Sequence, residues 1–114
     1  MTKLNQDITD YLQGDRLDID VIVTDPDGVV VDISGSAIEW VLVDTGVGVI
    51  VKKTTDGGGV TITDGPGGEF SVALKEADTE DIDPGRYHHE AEIDLSSGPV
   101  TVLTGRFEIV RSYT

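Results

Sequence analysis

A chain of 114 residues without cysteine is long enough for one modest core, and it offers neither a disulfide framework nor a thiolate metal site. Asp and Glu number 22 against 8 Lys and Arg, a formal net charge of −14, and a surface of that sign repels nucleic-acid phosphate and anionic lipid. No stretch is apolar enough for the core of a signal peptide or for a membrane span, so neither is expected.

Residues 1–13, "MTKLNQDITDYLQ", place Ile8, Tyr11 and Leu12 at helix-like or hook-like spacing. The segment reads either as an arm for contact with a neighbouring subunit or as a first strand or frayed terminus. Residues 14–114 read as one domain. "LDIDVIVT" (17–24) alternates Leu17, Ile19, Val21 and Val23 with mostly polar residues, as a half-buried strand does. "DPDG" (25–28) is a turn, and "VVVDI" (29–33) is expected as the returning arm of a hairpin. "AIEWVLVD" (37–44) puts Ile38, Trp40 and Leu42 on one face, with Trp40 the natural centre of the core. "VIVKKT" (49–54), "VTIT" (60–63) and "EFSVAL" (69–74) follow, separated by glycine-rich turns, with Phe70, Val72 and Leu74 inward. One short helical turn is expected near 75–82, before a Pro-Gly stop. "RYHHEAEID" (86–94) and "VTVLTGRFEIV" (100–110), joined by "LSSGP", complete the set.

Turn signals every ten residues or so predict an all-β fold, an immunoglobulin-like antiparallel β-sandwich of about 7–9 short strands. Tyr87, just after "DPG", stands where such domains carry a tyrosine that bonds back to the preceding loop. Gly105, within the last strand pattern, reads as a bulge or bend.

The stretch with most apparent chemistry is "DTEDIDPGRYHHE" (78–90), which holds both histidines. Strand alternation turns His89 inward with Tyr87, Ala91 and Ile93, while His88, Glu90 and Glu92 face solvent. Two histidines on opposite faces do not converge on one ion, and zinc wants three or four ligands. "DPDGVVVD" has the Asp-x-Asp-Gly opening of a calcium loop, but Asp27 abuts Gly28 and Asp32 falls too late for that spacing. "TDGGGVTITDGPGG" lacks the lysine and helix of a phosphate loop. None of Ser34, Ser36, Ser71, Ser96, Ser97 or Ser112 lies in a nucleophile elbow. No catalytic, cofactor-binding or metal-binding residue is assigned, no cofactor is expected, and the chain is read as a non-enzyme.

The acidity is dispersed, as in "LDIDVIV" and "HEAEIDL", rather than gathered into a tail. In molar salt, where the Debye length is about 3 Å, such carboxylates stop repelling one another. This points to a halophilic source, with an ordinary acidic surface domain as the alternative.

Several motifs together carry a resemblance. They are Gly14-Asp15 entering a long strand, Asp25 to Gly28, Asp32 to Gly35, Gly59 to Ile62, the corner from Ala77 to Glu90, and Thr101 to Ile109. This pattern, covering nearly the whole chain, resembles small immunoglobulin-like structural proteins of tailed viruses and is similar to the N-terminal domain of siphophage baseplate upper proteins. The resemblance implies a virion protein assembled in the host cytoplasm, from a virus of a halophilic archaeon when combined with the acidity. Its expected role is a tail or baseplate adaptor or a head decoration, docking on other virion proteins and on copies of itself. The alternative is a carbohydrate- or calcium-binding attachment module, for which Tyr11, Tyr113 and His88 are the available surface rings. Neither nucleic acid nor membrane is an expected partner.

Overall fold

The computed structural model describes residues 4–95 and 98–112. Among them lie nine strands: β1 Leu4–Asn5, β2 Ile8–Leu12, β3 Leu17–Ile22, β4 Ala37–Asp44, β5 Gly48–Thr54, β6 Val60–Asp64, β7 Glu69–Leu74, β8 Gly85–Leu95 and β9 Gly98–Val110. A single helical turn, α1 Glu76–Thr79, precedes β8. The strands form two sheets, one ordered β1/β2-β9-β8-β4-β5 and the other β3-β7-β6. All pairings are antiparallel except those of β1 and β2, which run parallel to β9. This is an all-β, sandwich-like arrangement of two sheets, as the alternation predicted.

The period-two pattern fixes the inner faces. Ile19 and Val21 of β3, and Phe70, Val72 and Leu74 of β7, close on Ile38, Trp40 and Leu42 of β4, Ala91 and Ile93 of β8, and Phe107 and Ile109 of β9. Trp40 has no exposed surface and sits edge-on to Phe107, with ring centroids 6.2 Å apart. Buried aromatic pairs of this geometry add to what area burial alone contributes.

Three local expectations need correction. Residues 29–33 form no strand: the "DPDG" turn closes through Gly28 N–H to the Asp25 carbonyl, but only a bridge between Thr24 and Val30 follows. The returning pairing is short. Asp25 N–H bonds the Val29 carbonyl and Val31 N–H the Val23 carbonyl, after which Ile33 N–H turns to the Gly65 carbonyl just beyond β6.

The second correction concerns Gly105. It is in regular register opposite His89, and the bulge lies nearby at Val102, between the pairs Ala91–Leu103 and Glu92–Thr101. That extra residue lets Val102 and Leu103 both be buried. Third, the spacing of Ile8, Tyr11 and Leu12 is neither helical nor a hook. Asp10 has φ +60°, and the register with β9 shifts between Ile8 and Tyr11. The inserted residue turns Ile8 and Tyr11 to the same side of an ordinary edge strand. The expected "LSSGP" turn falls partly on Ser96 and Ser97, outside the described residues.

Candidate functional site

The two histidines separate as alternation requires. His88 is half-buried on the outer face, its Nε2 3.1 Å from Glu90 Oε1 and 3.4 Å from Thr104 Oγ1. His89 has no exposed surface. Trp40 Nε1–H donates to His89 Nδ1 at 3.1 Å, and His89 Nε2 meets the Gln6 carbonyl at 2.7 Å. An indole N–H only donates and a carbonyl only accepts, so the ring is the neutral tautomer with its proton on Nε2. Burial is the main force holding its pKa below the ordinary 6.5, against the bond that Nε2–H donates to the Gln6 carbonyl, which favours the charged form. His89, Trp40 and Phe107 make mutual edge-on contacts, with His89 and Phe107 centroids 5.5 Å apart.

Gly105 belongs to this cluster. A Cβ there would lie 2.0 Å from the Gln6 carbonyl oxygen and 3.1 Å from His89 Nε2. The glycine therefore lets the backbone between β1 and β2 cross close over β9 and reach the imidazole. Sequence reasoning placed His89 inward but missed this contact. Two signals could have suggested it: a glycine inside a strand, and a ring nitrogen buried in a cysteine-free core.

A second polar cluster forms the corner before β8. Tyr11 is buried, its hydroxyl donating to the Asp15 carbonyl at 2.5 Å. With its single proton so used, it accepts from the Thr79 hydroxyl at 2.8 Å, and Thr79 Oγ1 in turn accepts from Gly14 N–H. Gln13 Nε2 donates to the Ile82 carbonyl. Asp78 bonds Lys53 Nζ at 2.8 Å and the Lys75 N–H at 2.7 Å. Burial alone would raise the Asp78 pKa, but those donors outweigh it and hold the carboxyl below its usual value. Tyr87 donates its hydroxyl to the Asp83 carbonyl at 2.5 Å, the tyrosine corner anticipated from "DPGRY".

The carboxylates of the calcium-like stretch are turn formers. Asp25 Oδ1 accepts the N–H groups of Asp27 and Val29, and Asp32 Oδ1 accepts Ser34 N–H and Oγ. Asp44, Thr54 and Asp64 close the glycine-rich loops in the same way. Among the described residues, no group of three or more His, Cys, Asp or Glu is placed to hold a metal ion. Of the three rings considered for sugar contact, Tyr11 is in the core, His88 is half-exposed, and Tyr113 lies outside the described residues.

One groove of about 490 Å³ opens on the outer face of the larger sheet. Glu39, Asp56, Glu92 and Asp94 line it together with Thr54, Thr55 and Pro99. Exposed apolar side chains gather elsewhere, at Ile22, Val29 and Val30 and at Val47 and Val49. Among the described residues, no helix is long and apolar enough to cross a membrane.

The topology, the tyrosine corner and the central tryptophan describe an all-β, sandwich-like domain. No protein-family model matches the chain, and no curated protein is similar to it.

Proposed function

We propose that the protein is a non-enzymatic structural module of a tailed-virus particle, a tail or baseplate adaptor or a head decoration that works by docking. The observation that carries the reading is where the resembling motifs fall. Gly14, Gly28, Gly35 and Gly59 all have positive φ, and Asp25 and Asp32 tie the two loops between β3 and β4. Ala77 to Glu90 forms the tyrosine corner, whose hydroxyl bond closes on Asp83. The resemblance therefore rests on the residues that build this sandwich. The polar groups of the two clusters serve the fold, bonding backbone and one another, which suits a rigid module.

Partners in this reading are other virion proteins and further copies of the chain. Docking would use the apolar residues at Val47 and Val49 and at Ile22, Val29 and Val30. The exposed strand acids Asp18, Asp20, Glu92 and Asp94 support the halophilic part of the reading, because salt screens their repulsion.

Immunogold electron microscopy of purified particles, with an antibody against this chain, tests the function. Label on the head or at a defined level of the tail supports it. Unlabelled particles, with the protein abundant in infected-cell lysate, overturn it. Circular dichroism and melting in molar KCl and in low salt test the source. A fold that loosens without salt is expected, and identical curves would sink the halophilic reading.

A further inference from the structure

The sandwich is drawn out along its strands. Its extents are 42 × 22 × 22 Å, and β9, at 13 residues and about 3.3 Å per residue, runs its full length. The connections therefore gather at two ends. The β3–β4 link, the β6–β7 turn and the close of β8 lie at the first end. The β2–β3, β4–β5 and β7–β8 links lie at the second, with the close of β9.

Both ends carry exposed apolar side chains: Ile22, Val29 and Val30 at the first, Val47 and Val49 at the second. Val30 lies across the bridge from Thr24, two residues beyond Ile22, so strand parity brings Ile22 and Val30 to one face. Leu12, the remaining exposed large apolar residue among those described, also lies at the second end, where β2 closes. None lies midway along the axis.

Charge separates the ends as well. The first holds Asp25, Asp27, Asp32, Asp64 and Asp94, and its segments 22–36, 64–68 and 94–99 contain no Lys or Arg. The second holds acids too, but Arg16, Lys75, Arg86 and Arg111 stand among them, half of the 8 Lys and Arg in the chain. Two first ends brought together would set aspartate against aspartate, whereas a first end on a second end sets aspartates beside cations. Contact along the flanks is opposed by exposed acids. Asp18 and Asp20 continue down the face from Ile22, and on the larger sheet Glu39 and Glu92 stand opposite each other in register.

We infer that the partner of each end is the opposite end of a second copy: the chain docks head to tail, Ile22, Val29 and Val30 against Val47 and Val49. The inference rests on the docking reading above and names its mode. Such a heterologous contact leaves an end of every pair open, so it continues into a column, or into a ring where the rotation closes. The 22 × 22 Å cross-section keeps an end contact below the roughly 800 Å² per partner of a standard interface. Association of the isolated protein is therefore weak and rises with concentration.

Sedimentation velocity on the full chain tests this, in molar KCl to screen the net charge of −14. The mean mass should keep rising past the dimer as concentration enters the millimolar range. Val29→Asp and Val47→Asp alter the most exposed apolar residue at each end, both outside the strands, and each variant alone should be monomeric. Mixed in equal amounts they should recover a dimer and stop there, because one intact pair of ends remains. A monomeric wild type overturns the proposal, as does a variant that dimerises by itself or a mixture that stays monomeric. Wild-type amide shifts should move with concentration at both ends together. Movement at one end only also overturns the proposal, and this readout decides where a variant fails to fold. A monomer leaves the immunogold test of the virion reading standing, and unlabelled particles leave the measured contact standing.

Discussion

The two buried polar clusters solve the same problem in opposite ways. Around His89 everything is neutral: one indole N–H, one imidazole in a single tautomer and one backbone carbonyl satisfy each other without a charge. At the corner, Lys53 and Asp78 keep their charges at 15% and 20% exposure because each has the other as partner, and Asp78 has a backbone N–H as well. The difference teaches where a charge is tolerated. A partly solvated ion pair is nearly neutral in its effect on stability, whereas an unpaired buried charge is costly.

The largest break in the comparison comes from Trp40→Ala, which removes the fully buried indole and leaves His89 Nδ1 without its donor. A loss of about 3–5 kcal/mol is expected in denaturant titration. Gly105→Ala should follow, because its Cβ meets a backbone oxygen that cannot rotate away. We expect about 1–3 kcal/mol, with faster amide exchange confined to residues 4–7. Tyr11→Phe removes the hydroxyl between Asp15 and Thr79 and should cost about 1 kcal/mol. Lys53→Met should have the smallest effect, at most about 1 kcal/mol, and diminish further in high salt.

Acid sharpens the contrast, because the two clusters respond in different windows. His89 is depressed in the folded state, so the unfolded chain binds its proton first. Its contribution is complete above the ordinary 6.5 and is lost as pH falls from there through the folded value. Asp78 is likewise depressed, but from 3.8, so its contribution persists until pH falls below about that value. Melting curves in molar KCl should therefore show a first decline near neutrality and a second in strong acid. His89→Gln should remove the first only.

Much of the architecture was legible because the inward and outward residues of β4, β7 and β8 alternate without interruption. Ile38, Trp40 and Leu42, or Phe70, Val72 and Leu74, allow one strand orientation only. The failures occur where alternation breaks. Residues 29–33 look like a strand because Val29, Val30 and Val31 are β-branched, yet their pairing with residues 23–25 is limited to one bridge before Ile33 N–H turns to the Gly65 carbonyl. Ile8 and Tyr11 share a side only because Asp10 adopts a left-handed φ, which composition does not announce. The inward turn of His89 was readable from parity. Its partner Gln6 was not, since 83 residues separate them in sequence and only the parallel register of β1 with β9 brings them together.

That parallel register has a mechanical consequence. Leu4 and Asn5 run beside Leu103 and Thr104, and Ile8, Tyr11 and Leu12 beside Phe107, Ile109 and Val110, all in the same direction. Tension drawn between residue 4 and residue 112 therefore slides these strands along each other instead of peeling them apart. The slanted bonds of the parallel ladder then share the load and yield together, with the buried Tyr11 side chain and the bulge at Asp10 acting as catches against the slide. A pull applied across β5, at the opposite edge, would open its pairing with β4 one bond at a time. Force along the line joining residues 4 and 112 thus loads the parallel ladder in shear, whereas force across β5 opens its edge pairing in turn.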